Sequence, residues 1–268
     1  MFNFIIKIIL SLVLIISSFV TFATASIEKT IDYKPSNGSF CHNFGKYGYN
    51  GKSDYYLCRE GYVVAYNCKT KQANYVISLL TRSSVNYHRK RINKFLPDKS
   101  LPKRCRSELS DYKRSGYDRG HLAPYASMDF SRTSAKQSFL LSNISPQKAG
   151  LNRKGWAKLE GYVRFWAKLK GKIFVYTGVI FNKKNKKTIG KNKVAVPNAF
   201  YKIIYAPKTN EAIAFLMPNK NIPNTRNAII QSRVSINKIE SLTRIQFFNN
   251  LSDKQKNKVS IMWKTTRK

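Results

Sequence analysis

Residues 117 to 160 constrain this chain more than any other stretch, because polar groups stand at defined places between short apolar runs. The stretch opens Tyr117-Asp118-Arg119-Gly120-His121-Leu122-Ala123-Pro124. It passes through the apolar Phe139-Leu140-Leu141 and through Ser142-Asn143-Ile144-Ser145-Pro146-Gln147, and closes Leu151-Asn152-Arg153-Lys154-Gly155-Trp156-Ala157-Lys158-Leu159-Glu160. Alternate residues of an extended segment share a face, so Arg119 and His121 point the same way if they lie on one. Phe139 to Leu141 is short and apolar, the pattern of a buried strand. Trp156, Leu159, Val163 and Trp166 recur at spacings of three and four, which predicts a helix over 152–169 that Lys170-Gly171 ends.

The groups in that stretch are those a phosphodiester hydrolase needs. A neutral imidazole titrating near ~6.5 can take a proton from an attacking water, so His121 is a candidate general base; a satisfied structural histidine or a metal ligand is the alternative. Mg²⁺ prefers oxygen ligands and keeps several waters. Asn152 offers one carbonyl oxygen, and Glu160 could hold water around such an ion. On an α-helix the two would stand ~80° apart around the axis and ~12 Å apart along it. Asn152 is equally a helix N-cap by position. Arg119 and, in the basic loop upstream, Arg91 could meet the negative charge that gathers on phosphate oxygens, or serve as ordinary phosphate contacts or surface ion pairs.

Elsewhere the chain alternates strand signals with turns. Tyr62 to Tyr66 and Ala73 to Leu80 read as a hairpin around Asn67 to Gln72. Ile173 to Phe181 reads as a core strand, Val194 to Pro197 as a further one, and Phe200 to Ala206 with Ala212 to Met217 as another hairpin. Residues 81–116 read as mostly loop, with basic clusters at His88-Arg89-Lys90-Arg91 and Lys103-Arg104. Loops this long are usually functional or disordered, and this one lies just ahead of the polar stretch. Residues 182–193 form a Lys-rich loop, and 234–248 shows helical pattern. Strands outnumber helices, which argues an α+β fold.

Charge and cysteines bound the partners. With 49 Lys and Arg against 13 Asp and Glu, the formal net charge is +36. A surface this basic attracts polyanions through phosphate neutralisation and counterion release. Met1 to Phe22 carries one charge, Lys7, before an apolar run, and Ala23-Thr24-Ala25 follows. This reads as a secretory signal peptide over 1–25, with an uncleaved anchor as the rival. Its removal leaves a length suited to one sizeable domain with no stable membrane association. The expected organisation is an irregular N-terminal arm over 26–54 and a domain over 55–268, exported to the periplasm or beyond the cell. Cys41, Cys58, Cys68 and Cys105 point to two disulfides whose three pairings the sequence leaves open; a zinc site with His42 is the alternative.

Taken in order, these residues resemble the DNA/RNA non-specific endonuclease family, the ββα-metal nucleases. The resemblance rests on Asp118-Arg119-Gly120-His121-Leu122-Ala123-Pro124, Asn143 to Gln147, Asn152 with Gly155-Trp156, and Glu160. It extends outward to the Gly61–Tyr75 hairpin, Tyr176-Thr177-Gly178, Val196-Pro197, Phe200-Tyr201-Lys202 and Met217-Pro218-Asn219. It implies a central antiparallel sheet with flanking helices and a ββα-metal finger. In that likeness His121 is the base, Asn152 the direct ligand of a hydrated Mg²⁺, with Mn²⁺ as the other candidate, and Glu160 the residue that positions its water. Arg119 and Arg91 stabilise transition-state charge, and Asn143 and Gln147 support the site. The implied activity is cleavage of DNA and RNA with little sequence or sugar preference, leaving 5′-phosphate ends. The resemblance also allows a homodimer. A secreted polyanion- or DNA-binding protein without catalysis is the alternative; it would not need His121, Asn152 and Glu160 together.

Overall fold

The computed structural model describes residues 41, 44, 46, 47, 53–91, 94–182 and 187–265. Residues 1–25, read above as a signal peptide, most of the expected arm 26–54 including His42, and part of the Lys-rich loop lie outside the described residues. Eleven strands are formed among them: β1 (Tyr55–Cys58), β2 (Tyr62–Asn67), β3 (Gln72–Thr81), β4 (Asp118–His121), β5 (Ile144–Gln147), β6 (Lys172–Ile180), β7 (Thr188–Ile189), β8 (Val194–Ala195), β9 (Ala199–Ala206), β10 (Glu211–Pro218) and β11 (Arg233–Val234). Seven make one antiparallel sheet in the order β1-β2-β3-β6-β9-β10-β11. The expected α+β class holds.

Both faces of this sheet are covered, so its central strands are buried almost throughout. Strand periodicity sorts the side chains. Tyr62, Val64 and Tyr66 of β2 and Phe200 and Ile204 of β9 join one core with Trp156, Leu159, Val163 and Trp166 of the Ala157–Lys170 helix. Val63 and Ala65, with Tyr201, Ile203 and Tyr205, join the other, under Ile236 and Ile239 of the Ile236–Thr243 helix and Phe247 and Phe248. The disulfides are Cys41–Cys58 and Cys68–Cys105. The first ties the arm to β1. The second ties the β2–β3 turn to the long loop.

Two of the expected elements need correction. Phe139 to Leu141 is not a strand: Leu140 makes a single bridge to Leu96, and Leu141–Asn143 is a 3-10 turn. Val194–Ala195 is a strand as expected, paired with β7 in a separate two-stranded sheet. The segment 152–169 is not one α-helix. Leu151–Trp156 is a π-helical turn, and the α-helix runs Ala157–Lys170. At that turn Gly155 N–H donates to the Ile222 carbonyl at 3.1 Å, and a side chain on Gly155 would meet Ile222 Cγ2 at 2.5 Å.

The loop over 81–116 is loop in the main, held by a buried ion pair. Arg59 donates to Asp98 at 2.6 Å and to Ser100 at 2.7 Å, and Ser142 donates to Asp98 at 2.5 Å. Burial would raise the Asp98 carboxyl, but Arg59 and the two serines outweigh it and hold it below its ordinary range. The loop is thus pinned to β1 and to the segment leading into β5.

Candidate active site

β4 and β5 form a two-stranded antiparallel ribbon pairing Asp118 with Gln147, Arg119 with Pro146, Gly120 with Ser145 and His121 with Ile144. The π-turn and the Ala157–Lys170 helix follow, so strand, strand and helix are consecutive in space. Gly120 is required at close quarters: a side chain there would meet Gln147 Cβ at 2.6 Å. Asn143 fixes the turn after His121. Its Oδ1 accepts from Ala123 N–H at 2.8 Å, and its Nδ2 donates to the carbonyls of Ala123 and Ser138, both at 2.8 Å.

His121 is 9% exposed, and its Nε2 has no hydrogen-bond partner. Rings wall it in, with Phe95 at 5.4 Å and Phe139 at 5.3 Å between centroids. Burial, then the charges of Arg91 and Arg119, lower its pKa to about 3, so the imidazole is neutral near pH 7 and can accept a proton. Arg119 lies over the Phe95 ring at 4.3 Å. Arg91 lies 5.6 Å from the Tyr125 ring and 5.5 Å from the Phe139 ring.

Asn152 does not cap the helix. Its Nδ2 donates to Asp118 Oδ2 at 2.9 Å, while Arg153 grips the same carboxylate from Nε at 2.8 Å and Nη2 at 2.7 Å. Burial would raise Asp118, but the Arg153 and Asn152 hydrogen bonds with the arginine charges hold it low and ionised. Asp118 thus engages the amide nitrogen, and the carbonyl oxygen is the atom of the Asn152 side chain able to ligate a cation. Both amide atoms of the buried Gln147 lack partners. No cluster of three or more His, Cys, Asp or Glu able to hold a metal occurs among the described residues. A single carboxamide oxygen with a nearby carboxylate fits a hard cation that keeps its water, and does not fit zinc.

Glu160 is half-buried one α-helical turn beyond Trp156. Burial raises its pKa, countered by Lys202, Arg164 and Arg91. Arg91 therefore acts electrostatically on both His121 and Glu160.

The model of the DNA/RNA non-specific endonuclease family matches residues 42–254. The chain belongs to this family. Nuclease C1 of Cunninghamella echinulata var. echinulata is 34% identical over 77% of this chain and 87% of its own. The mitochondrial nuclease of Saccharomyces cerevisiae is 32% identical over 83% and 76%. The crystal structure of the EndoG/EndoGI complex superposes with a TM-score of 0.73 at 30% identity, covering 79% of this chain and 92% of the other. The expected periplasmic or secreted location is corrected by these relatives. The yeast protein and endonuclease G of Caenorhabditis elegans and human are all named mitochondrial, not secreted.

Three polar residues of this non-specific endonuclease carried no role in the sequence reading. Asp118 was visible only as part of the motif. Arg164 stands four residues after Glu160, a spacing that puts both on one helix face. Lys202 interrupts an apolar strand, which signals a buried charge. It is 1% exposed, donates to Thr177 Oγ1 at 2.6 Å and lies 4.7 Å from the Trp156 ring. Burial lowers its pKa to about 8, against the opposing pull of Glu160.

Proposed function

We propose that this nuclease is a metal-dependent endonuclease that hydrolyses phosphodiester bonds of DNA and RNA with little sequence or sugar preference, leaving 5′-phosphate ends. The observation that carries the reading is the buried, neutral His121 imidazole, whose Nε2 has no hydrogen-bond partner and which shares the influence of Arg91 with Glu160. His121 takes a proton from the attacking water. The water oxygen bonds to phosphorus, the bond to the 3′ oxygen breaks, and solvent protonates that oxygen. Arg119 and Arg91 face the charge on the phosphate oxygens. Asn152 would hold Mg²⁺ or Mn²⁺, which when bound supplies Lewis-acid charge at the leaving oxygen. Glu160 accepts hydrogen bonds from water beside it, and Lys202 and Arg164 oppose the burial that raises its pKa. Asp118 orients Asn152, Asn143 holds the His121 turn, and the Gln147 amide faces the ribbon. Contacts confined to phosphate would leave the sugar unread. The domain is taken as 55–268, with the arm fastened to it through Cys41–Cys58.

Digestion of plasmid DNA and of RNA, with and without EDTA, tests this. Cleavage of both should stop on chelation, and His121→Ala should lose several orders of magnitude while still binding DNA. Full activity in His121→Ala would remove the base assignment. Absence of cleavage across several divalent metals would leave a polyanion-binding protein.

A further inference from the structure

Beside the catalytic groups lies an open hollow of about 530 Å³. Its floor is apolar, made by Leu96, Tyr125, Ala135 and Phe139, and its rim is cationic, made by Arg89, Lys90, Lys94, Arg132 and Lys136. No acidic residue lines it. The rim cations are exposed, and Leu96 is 45% exposed at the floor. The floor is rigid. Tyr125 donates from its hydroxyl to the carbonyls of Arg89 and Lys90, at 2.9 and 3.0 Å, and its ring packs on Phe139 at 5.4 Å. Leu96 is pinned by N–H to the Phe139 carbonyl and by its own carbonyl to Leu141 N–H.

The position of this hollow gives it meaning. Phe139 forms part of its floor and also walls His121, and Phe139 and Tyr125 are the two rings over which Arg91 lies. A phosphate held at His121 and Arg91 therefore has the hollow one ring away. We infer that the hollow is a subsite for the nucleobase of the nucleotide next to the scissile phosphate, and that it admits only an unstacked base. The apolar floor receives the base, and the rim takes the phosphates on either side. A base inside a duplex keeps its face against its neighbours and must be extruded first, at a cost of a few kcal/mol. The subsite thus selects single-stranded and unpaired segments, of RNA or DNA alike, because every base has a flat apolar face.

The inference rests on the nuclease reading, and the test separates the two. Binding of a short fluorescent oligodeoxynucleotide is measured in EDTA, where no cleavage is needed, against the same strand with abasic positions. The based strand should bind about tenfold more tightly, within the range stacking contacts give. Leu96→Asp, at an exposed position, and Ala135→Leu, which fills the hollow, should each abolish that difference. With metal, both variants should lose about tenfold in kcat/KM on single strands through KM, less on duplex, with bis(4-nitrophenyl) phosphate reporting the chemical step alone. Equal binding of based and abasic strands by the wild type, or equal losses on all three substrates, would overturn the subsite. A protein inert on every diester but discriminating the two strands would keep the subsite and remove the proposed activity.

Discussion

Acid should destabilise this enzyme through His121, by an amount that its surroundings set. In the unfolded chain the ring titrates at its ordinary 6.5, while in the fold burial, Arg91 and Arg119 hold it down at about 3. Below pH 6.5 the unfolded state binds a proton that the folded state refuses, so stability falls with pH until about 3, where the folded ring protonates too. Each pH unit in that window costs about 1.4 kcal/mol, which makes the penalty about 2 kcal/mol at pH 5. For a chain of this size that is roughly 4–8 °C in Tm. Thermal melts at pH 7 and pH 5 should show the wild type losing this much more than His121→Gln. Proton NMR gives the direct reading: the His121 ring resonance, assigned by its absence in the variant, should not titrate between pH 7 and 5. Because kcat/KM reports the free enzyme, its acid side should likewise show no limb from this ring near 6.5. A His121 midpoint near 6.5, or equal acid slopes in the two proteins, would refute the reasoning.

Other perturbations read other parts of the site. Lys202→Met keeps the volume and removes the largest cationic influence on Glu160, so the Glu160 pKa should rise further and the acid limb of activity should move to higher pH with little change in urea stability; an unmoved limb would separate Lys202 from Glu160. Asp118→Ala removes the acceptor shared by Asn152 and Arg153, and the Mg²⁺ concentration for half-maximal activity should rise by ~10–100-fold with circular dichroism unchanged. Gly120→Ala drives a methyl into Gln147 and should cost ~1–3 kcal/mol in urea melts along with most of the activity. Opening the bridges should lower Tm in reductant, with Cys68–Cys105, across 37 residues, contributing about 4 kcal/mol and Cys41–Cys58, across 17, about 3 kcal/mol in the chain-entropy account. A Tm unaffected by verified reduction would contradict that.

Local patterns were legible because they record local structure. Apolar runs rich in Val, Ile and Tyr with turn chemistry between them announced the β2–β3 and β9–β10 hairpins, and the run from Ile173 announced β6. The spacing of Trp156, Leu159, Val163 and Trp166 announced a helix but could not show that its first turn is wound as π, because that turn is shaped by the Ile222 segment packing against Gly155. Apolar character alone misread Phe139 to Leu141, whose burial serves a ring wall beside His121 rather than a strand.

The order of Asp118, Arg119, His121, Asn152 and Glu160 marked by itself the family to which the chain belongs, although the five stand on a strand, a π-helical turn and an α-helix. Only the tertiary structure decided how they cooperate. Lys202 faces Thr177 because β9 pairs with β6 in that register, and Trp156 reaches it from a helix packed across the sheet. Asp118 grips Asn152 from 34 residues away, and Arg91 comes in from a loop pinned by Asp98. A buried polar contact between distant segments leaves no period in the chain; it exists once sheet register and packing have brought its partners within hydrogen-bond reach.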